Sequence, residues 1–178
     1  LIETNYIRAV QGGVGFVKAA GNYGRSLYPT KLAQQKGYQQ VIWTDGATHS
    51  FLEESGTMNL MFVIGDKVVT PALSDTILDG ITRRSVLALA RDWGMKVEER
   101  KISIQEIVDA YAKGEIKEAF GVGTAATIAQ IMGIGYQENY MELPAVADRK
   151  FSNKVDETLR GIRKGKIEDK MGWMFKVK

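Results

Sequence analysis

The stretch Asn59-Leu60-Met61-Phe62-Val63-Ile64, Gly65-Asp66, Lys67-Val68-Val69-Thr70 constrains the fold more than any other. Two runs of β-forming residues flank a two-residue Gly/Asp turn, which is hairpin chemistry. Other short β segments, broken by glycine, are expected at Tyr6–Val10, Gly15–Lys18 and Gln40–Thr44. Between them Ser26–Lys36 reads as a helix, with Pro29 tolerated in its first turn and Gly37 closing it. The second half is mixed. Thr82–Trp93 places Val86, Leu87, Ala90 and Trp93 on one helical face, with Thr82 as the expected cap and Gly94 at the stop. A strand (Lys96–Ile102), a helix (Ser103–Lys113) with Ser103 and Glu106 spaced as a capping box, a strand ending near Gly121 and a helix from Phe151 to Lys166 complete the reading. β-rich first and mixed afterwards, the chain is expected to be an α+β (mixed α/β) domain. Its 178 residues suffice for one domain with a sizeable core and are too few for two full domains.

Composition narrows the chemistry. There is no cysteine and one histidine, His49, so thiolate chemistry is excluded and a metal site or triad built on histidine is not expected. No apolar run approaches the ~20 residues of a membrane span, which fits a cytoplasmic setting. The charge of +3 is uneven: from Asp148 onward ten Lys/Arg face five Asp/Glu. Acidic residues interleave there without an aromatic platform, so a solvated helix face is expected and not a nucleic-acid surface. The chain opens Leu1-Ile2-Glu3-Thr4, without methionine, and moves directly into a strand-like run. It is therefore expected to be a fragment of a longer polypeptide.

Three glycine-bearing segments carry the functional signal: Gly21-Asn22-Tyr23-Gly24, Asp79-Gly80-Ile81-Thr82 and Gly121-Val122-Gly123-Thr124. A glycine turn that feeds a helix start leaves backbone N–H groups unpaired at the positive end of the dipole, a seat for phosphate. Each loop alone is also what ordinary turn chemistry requires. Two of them without a Walker-type run point to a cofactor's phosphate in preference to a nucleoside triphosphate. Lys18 ends an apolar β segment, where burial would lower its pKa toward that of a nucleophilic amine; a solvent-facing strand lysine is the other reading. Glu54, entering the turn Ser55-Gly56-Thr57, is either a cap or the partner of a buried protonated nitrogen.

Lys18 with Asn22-Tyr23-Gly24, Glu54-Ser55-Gly56-Thr57-Met58-Asn59, Gly80-Ile81-Thr82-Arg83 and Gly123-Thr124-Ala125 stand in one order over nearly all 178 residues. In that order and spacing the chain resembles the class IV (fold type IV) pyridoxal-phosphate enzymes, and within them the branched-chain amino acid aminotransferases. The resemblance implies the β-rich, cofactor-binding large domain of that fold over residues 1–178, with a small N-terminal domain missing. It implies transamination of leucine, isoleucine and valine with 2-oxoglutarate on pyridoxal 5′-phosphate, in a homodimer.

Residue by residue, Lys18 matches the lysine that forms an imine with the cofactor aldehyde and then moves the substrate proton. Tyr23 matches the tyrosine on the ring's phenolic oxygen, and Glu54, not its neighbour Glu53, the carboxylate facing the pyridine nitrogen. Ile81 and Thr82 match the helix start that holds the phosphate, and Thr124 the hydroxyl that holds it from the other loop. Thr57 and the backbone at Ala125 match the seat of the substrate carboxylate, and Arg8 an arginine near the cofactor. Glu53 is expected to be a spectator. D-amino acid aminotransferases and aminodeoxychorismate lyases share the lysine and glutamate, but usually have a serine where Gly56 stands and lack the Gly-Asn-Tyr-Gly run. A non-catalytic domain that binds phosphate metabolites is the alternative from another class.

Overall fold

The computed structural model describes residues 1–175 and 177. The chain runs through α1 (Ala20–Gly24), α2 (Leu27–Gln35), β1 (Ile42–Thr44), β2 (Leu52–Ser55), β3 (Met58–Ile64) and β4 (Lys67–Thr70). It continues through α3 (Ile81–Asp92), β5 (Lys96–Glu99), α4 (Ile104–Ala112), β6 (Ile116–Gly123), β7 (Thr127–Gln130), β8 (Gly133–Tyr136), β9 (Asn139–Glu142) and α5 (Phe151–Arg163). The β3–β4 hairpin forms as expected, with Gly65 at φ +59° in its turn.

β3 is the centre of a seven-stranded, mostly antiparallel sheet. β6 pairs along one edge of β3, from Asn59↔Val122 to Ile64↔Ile116. On the other edge β2 pairs with its first residues and β4 with its last. The period-2 alternation of a strand sends Leu60 and Phe62 into one core and Met61 and Val63 into another. The first core packs against α4 and the small β8–β9 hairpin through Ile104, Ile107, Ile134 and Met141. The second packs against α3 and α5 through Val86, Leu87, Ala90, Val155 and Leu159. With both faces covered, Phe62 and Phe120 are fully buried. Burial of that size contributes about 1.5–3 kcal/mol per side chain.

Helix ends show where local signals succeed. Ser103 caps α4 by accepting the Glu106 N–H at 3.0 Å, but the Glu106 carboxylate reaches Arg100 and does not close the capping box. α5 is capped from afar: both oxygens of the buried Glu118 on β6 accept N–H groups, of Phe151 and Ser152, each at 2.7 Å. Thr82 is not the cap of α3. Gly80 occupies that position and no side chain caps the helix.

The strands expected at Tyr6–Val10 and Gly15–Lys18 do not form. Residues 4–17 are turns and irregular backbone, with Gly12 at φ +77°. Their polar groups are satisfied by turns, Gly13 N–H on Val10 O and Val17 N–H on Val14 O, both at 3.0 Å, and by the distant Asp75, whose carbonyl accepts the Phe16 N–H at 3.0 Å. The chain leaves the outer edge of β1 after the Ile2↔Ile42 bridge, and a segment without a ladder partner gains nothing from an extended backbone over turns.

Candidate active site

Arg8, Lys18, Asn22, Tyr23, Glu54 and Thr57 line one small cavity beside β2. Distant segments reach it for separate local reasons. Glu54 comes from β2, whose whole length is buried. Thr57 is carried on the β2–β3 turn, where Gly56 sits at φ +58° with a hypothetical Cβ only 2.5 Å from the Gln40 side chain. A side chain at 56 would be strained at this φ and would displace the Gln40 side chain. Asn22 on α1 donates to Val14 O at 2.9 Å and Val17 O at 2.8 Å. The 14–17 turn is thereby fastened to the helix, which sets the position of Lys18. Arg8 crosses beneath, donating to Gly15 O at 3.3 Å and to Thr76 O.

Glu54 is the electrostatic centre of the cavity. It is 3 % exposed, and burial pushes its carboxyl up to about 7, against the pull of the Arg8 guanidinium and of the Leu78 N–H. Arg8 Nε lies 3.2 Å from Glu54 Oε2, an ion pair without hydrogen-bond alignment. Oε1 accepts the Leu78 N–H at 2.8 Å and Asn59 Nδ2 at 3.3 Å. A buried carboxyl that is half ionised near neutrality can share a proton with a nitrogen base brought against it.

Two expectations are corrected here. Lys18 is exposed, following a turn, and is not drawn into an apolar wall. Glu53 is no spectator: it is buried, accepts Thr76 Oγ1 at 2.6 Å, and burial raises its pKa against the effects of that hydrogen bond and of Arg8.

Ile81, Thr82 and Thr124 meet in a second cleft, between α3, α5 and the β6–β7 turn. Ala125 lies exposed on the same turn, lining neither cavity. The two halves touch through Asn59, which donates to Leu78 O at 2.7 Å as well as to Glu54. A Cβ placed on Gly80 would stand 2.2 Å from Asn59 Oδ1, so the absence of a side chain at 80 lets the start of α3 close against the buried acid. Asn59 had a signal in the sequence, as the last residue of the motif that begins at Glu54. Glu53 and Asn22 had none beyond their neighbours.

The donor set fits pyridoxal 5′-phosphate. A buried carboxyl titrating near 7 suits a pyridine nitrogen, an amine and a phenol stand at the mouth of the same cavity, and an uncapped helix start with two threonines suits a phosphate. Among the described residues no cluster of His, Cys, Asp and Glu is arranged to hold a metal, and no helix is long and apolar enough to cross a membrane.

Comparison with known proteins gives a consistent picture. The sequence model of amino-transferase class IV matches residues 17–134. Over 176 residues the chain is 48% identical to a probable branched-chain-amino-acid aminotransferase of Staphylococcus epidermidis, covering 99% of this chain and 49% of that protein. The branched-chain aminotransferase of Thermoproteus uzoniensis, solved with norvaline, matches with a TM-score of 0.79 at 30% identity, over 97% of this chain and 53% of that one. The PLP form of the Thermobaculum terrenum enzyme matches at 0.74 and 25% identity, over 93% and 51%. The chain thus spans about half the length of the relatives it matches.

Proposed function

We propose an activity on one premise, that this chain belongs to the class IV aminotransferase family: it transfers the amino group of leucine, isoleucine or valine to 2-oxoglutarate. The observation that carries the reading is the convergence of Lys18, Tyr23, Arg8, Glu54 and Thr57 on one cavity around an acid titrating near neutrality. Pyridoxal 5′-phosphate, when bound, supplies the aldehyde that takes up the amino group and the ring that accepts the electron pair released at the substrate Cα.

The chain's residues hold that group and move the proton. The backbone N–H groups of Ile81 and Thr82 and the hydroxyl of Thr124 bind the phosphate, using the positive end of α3. Glu54 holds a proton against the pyridine nitrogen, and Arg8 keeps the carboxyl oriented by its ion pair. Tyr23 donates to the phenolic oxygen. Lys18 is the catalytic amine and carries the proton from the substrate Cα. Its exposed position suits a side chain that must swing between two bonding roles. Thr57 and the backbone at Ala125 orient the substrate carboxylate. The exposed apolar side chains Val14, Phe16 and Val17 beside the cavity, with Leu27 and Tyr28, support a homodimer that covers this face.

The experiment is Lys18→Ala in the protein that carries this chain. Turnover of L-leucine with 2-oxoglutarate, and the visible absorption band of covalently held cofactor, are both expected to vanish. Parent-like transamination by the variant, or a parent that turns over D-alanine and not L-leucine, overturns the reading.

A further inference from the structure

We propose that Arg163 is a positioning residue: through Thr127 it pre-sets the β6–β7 turn that presents Thr124 and Ala125. The inference rests on the reading above, in which that turn serves the cofactor phosphate and the substrate carboxylate.

The turn is short and strained. Gly123 pairs with Thr127 across the hairpin, leaving Thr124, Ala125 and Ala126 as the loop. Three-residue hairpin loops commonly end in a left-handed residue, where glycine is at home. Here the left-handed residue is Thr127, the first after the loop, at φ +62°. For a β-branched residue this conformation is an outlier, disfavoured roughly tenfold. It persists only where surrounding structure holds it.

α5 supplies the hold. Arg163 Nη2 donates to Thr127 Oγ1 at 2.5 Å, and its Nε to Leu159 O at 3.3 Å. One turn earlier Arg160 donates to Ala126 O at 3.3 Å while paired with Asp156. Thr127 is 3 % exposed whereas Thr124 and Ala125 are exposed. The strained residue is thus the buried anchor, and the loop it directs is what a ligand meets. Arg163 lines the same cleft as Thr82 and Thr124, so the anchor sits next to the surface it orders. A guanidinium holds such a contact with little loss of freedom because its fork of donors is planar and fixed.

The test uses the holoprotein that carries this chain, with Arg163→Ala, Thr127→Val and Thr127→Gly, and Arg163→Ala combined with Thr127→Gly. Thr127→Val keeps the branched, strained residue and removes only the acceptor, so it probes the contact without deleting the arginine. Pyridoxal phosphate affinity is read by titrating the cofactor-free protein, and KM for L-leucine is separated from kcat. Arg163→Ala and Thr127→Val are each expected to weaken cofactor binding about tenfold and to raise KM severalfold, with kcat changed less than threefold. In the Thr127→Gly background, where the left-handed conformation needs no hold, Arg163→Ala is expected to cost less than twofold. A full tenfold loss in that background means that Arg163 acts on the bound anion directly, and overturns the proposal. So does parent-like affinity in both single variants. A parent that binds no pyridoxal phosphate removes the functional reading, and this inference with it, whereas a parent that binds it normally confines any failure to Arg163.

Discussion

Replacing Glu54 with Gln tests the electrostatics of the site through stability, independently of turnover. The carboxyl titrates near 7 in the folded chain against an ordinary value of 4.5, because it is buried. Folding therefore favours its protonated form. Its contribution is fully present below pH 4.5 and is lost as pH rises to about 7. At about 1.4 kcal/mol per pH unit, that interval is worth about 3 kcal/mol. Glutamine keeps the shape and the acceptor for the Leu78 N–H but does not titrate. It also leaves the buried Arg8 without its anion, a cost of several kcal/mol. Urea unfolding of the cofactor-free protein, followed by the fluorescence of the fully buried Trp43, measures both proteins from pH 4.5 to 8.5. The stability of the parent minus that of Glu54→Gln is expected to fall by about 3 kcal/mol across the range. A difference constant within 1 kcal/mol, or one that grows with pH, refutes the claim that burial outweighs the Arg8 ion pair at this carboxyl.

Three further outcomes follow from contacts. Gly80→Ala puts a Cβ 2.2 Å from Asn59 Oδ1, and Asn59 is tethered at Nδ2; a loss of about 1–3 kcal/mol is expected, read by urea unfolding, with weaker cofactor retention on dialysis. Asn59→Ala removes the donor to Leu78 O and Glu54 Oε1, and is expected to cost about 1–3 kcal/mol in the same melt. Ser103→Ala deletes the cap of α4; about 1 kcal/mol in thermal or urea unfolding is expected, with cofactor binding unchanged, since α4 packs on the sheet face away from α3 and α5.

The hairpin, α3, α4 and α5 were legible because each is specified by residues within a few positions of one another. Alternating apolar residues across a Gly/Asp turn, a 3.6-residue stripe ending in glycine, and a serine three residues before an acid all act over one turn of chain. The site motifs were legible for a similar reason: each is a short run, and their order along the chain carries the family resemblance. In a strand neighbours face opposite ways, and of the two adjacent acids only Glu54 lines the cavity.

What local pattern could not carry are the properties set by partners far away in sequence. Residues 6–10 and 15–18 have strand-like composition, yet a strand exists only when paired, and these residues pair with no strand of the sheet. Nothing near Glu53 in the chain marks its burial or the Thr76 hydroxyl that donates to it, and the caps of α5 come from Glu118, 33 and 34 residues before the groups it satisfies. Arg163 and Thr127 are ordinary in sequence, and the left-handed backbone that links them arises only once α5 lies beside the β6–β7 turn. The proton affinity of Glu54 is the plainest case. Its identity and position are written in the chain, but its titration near 7 comes from burial within the folded chain, opposed by an arginine 46 residues away. Desolvation depends on what surrounds a group in space, and the chain acquires those surroundings only when it closes.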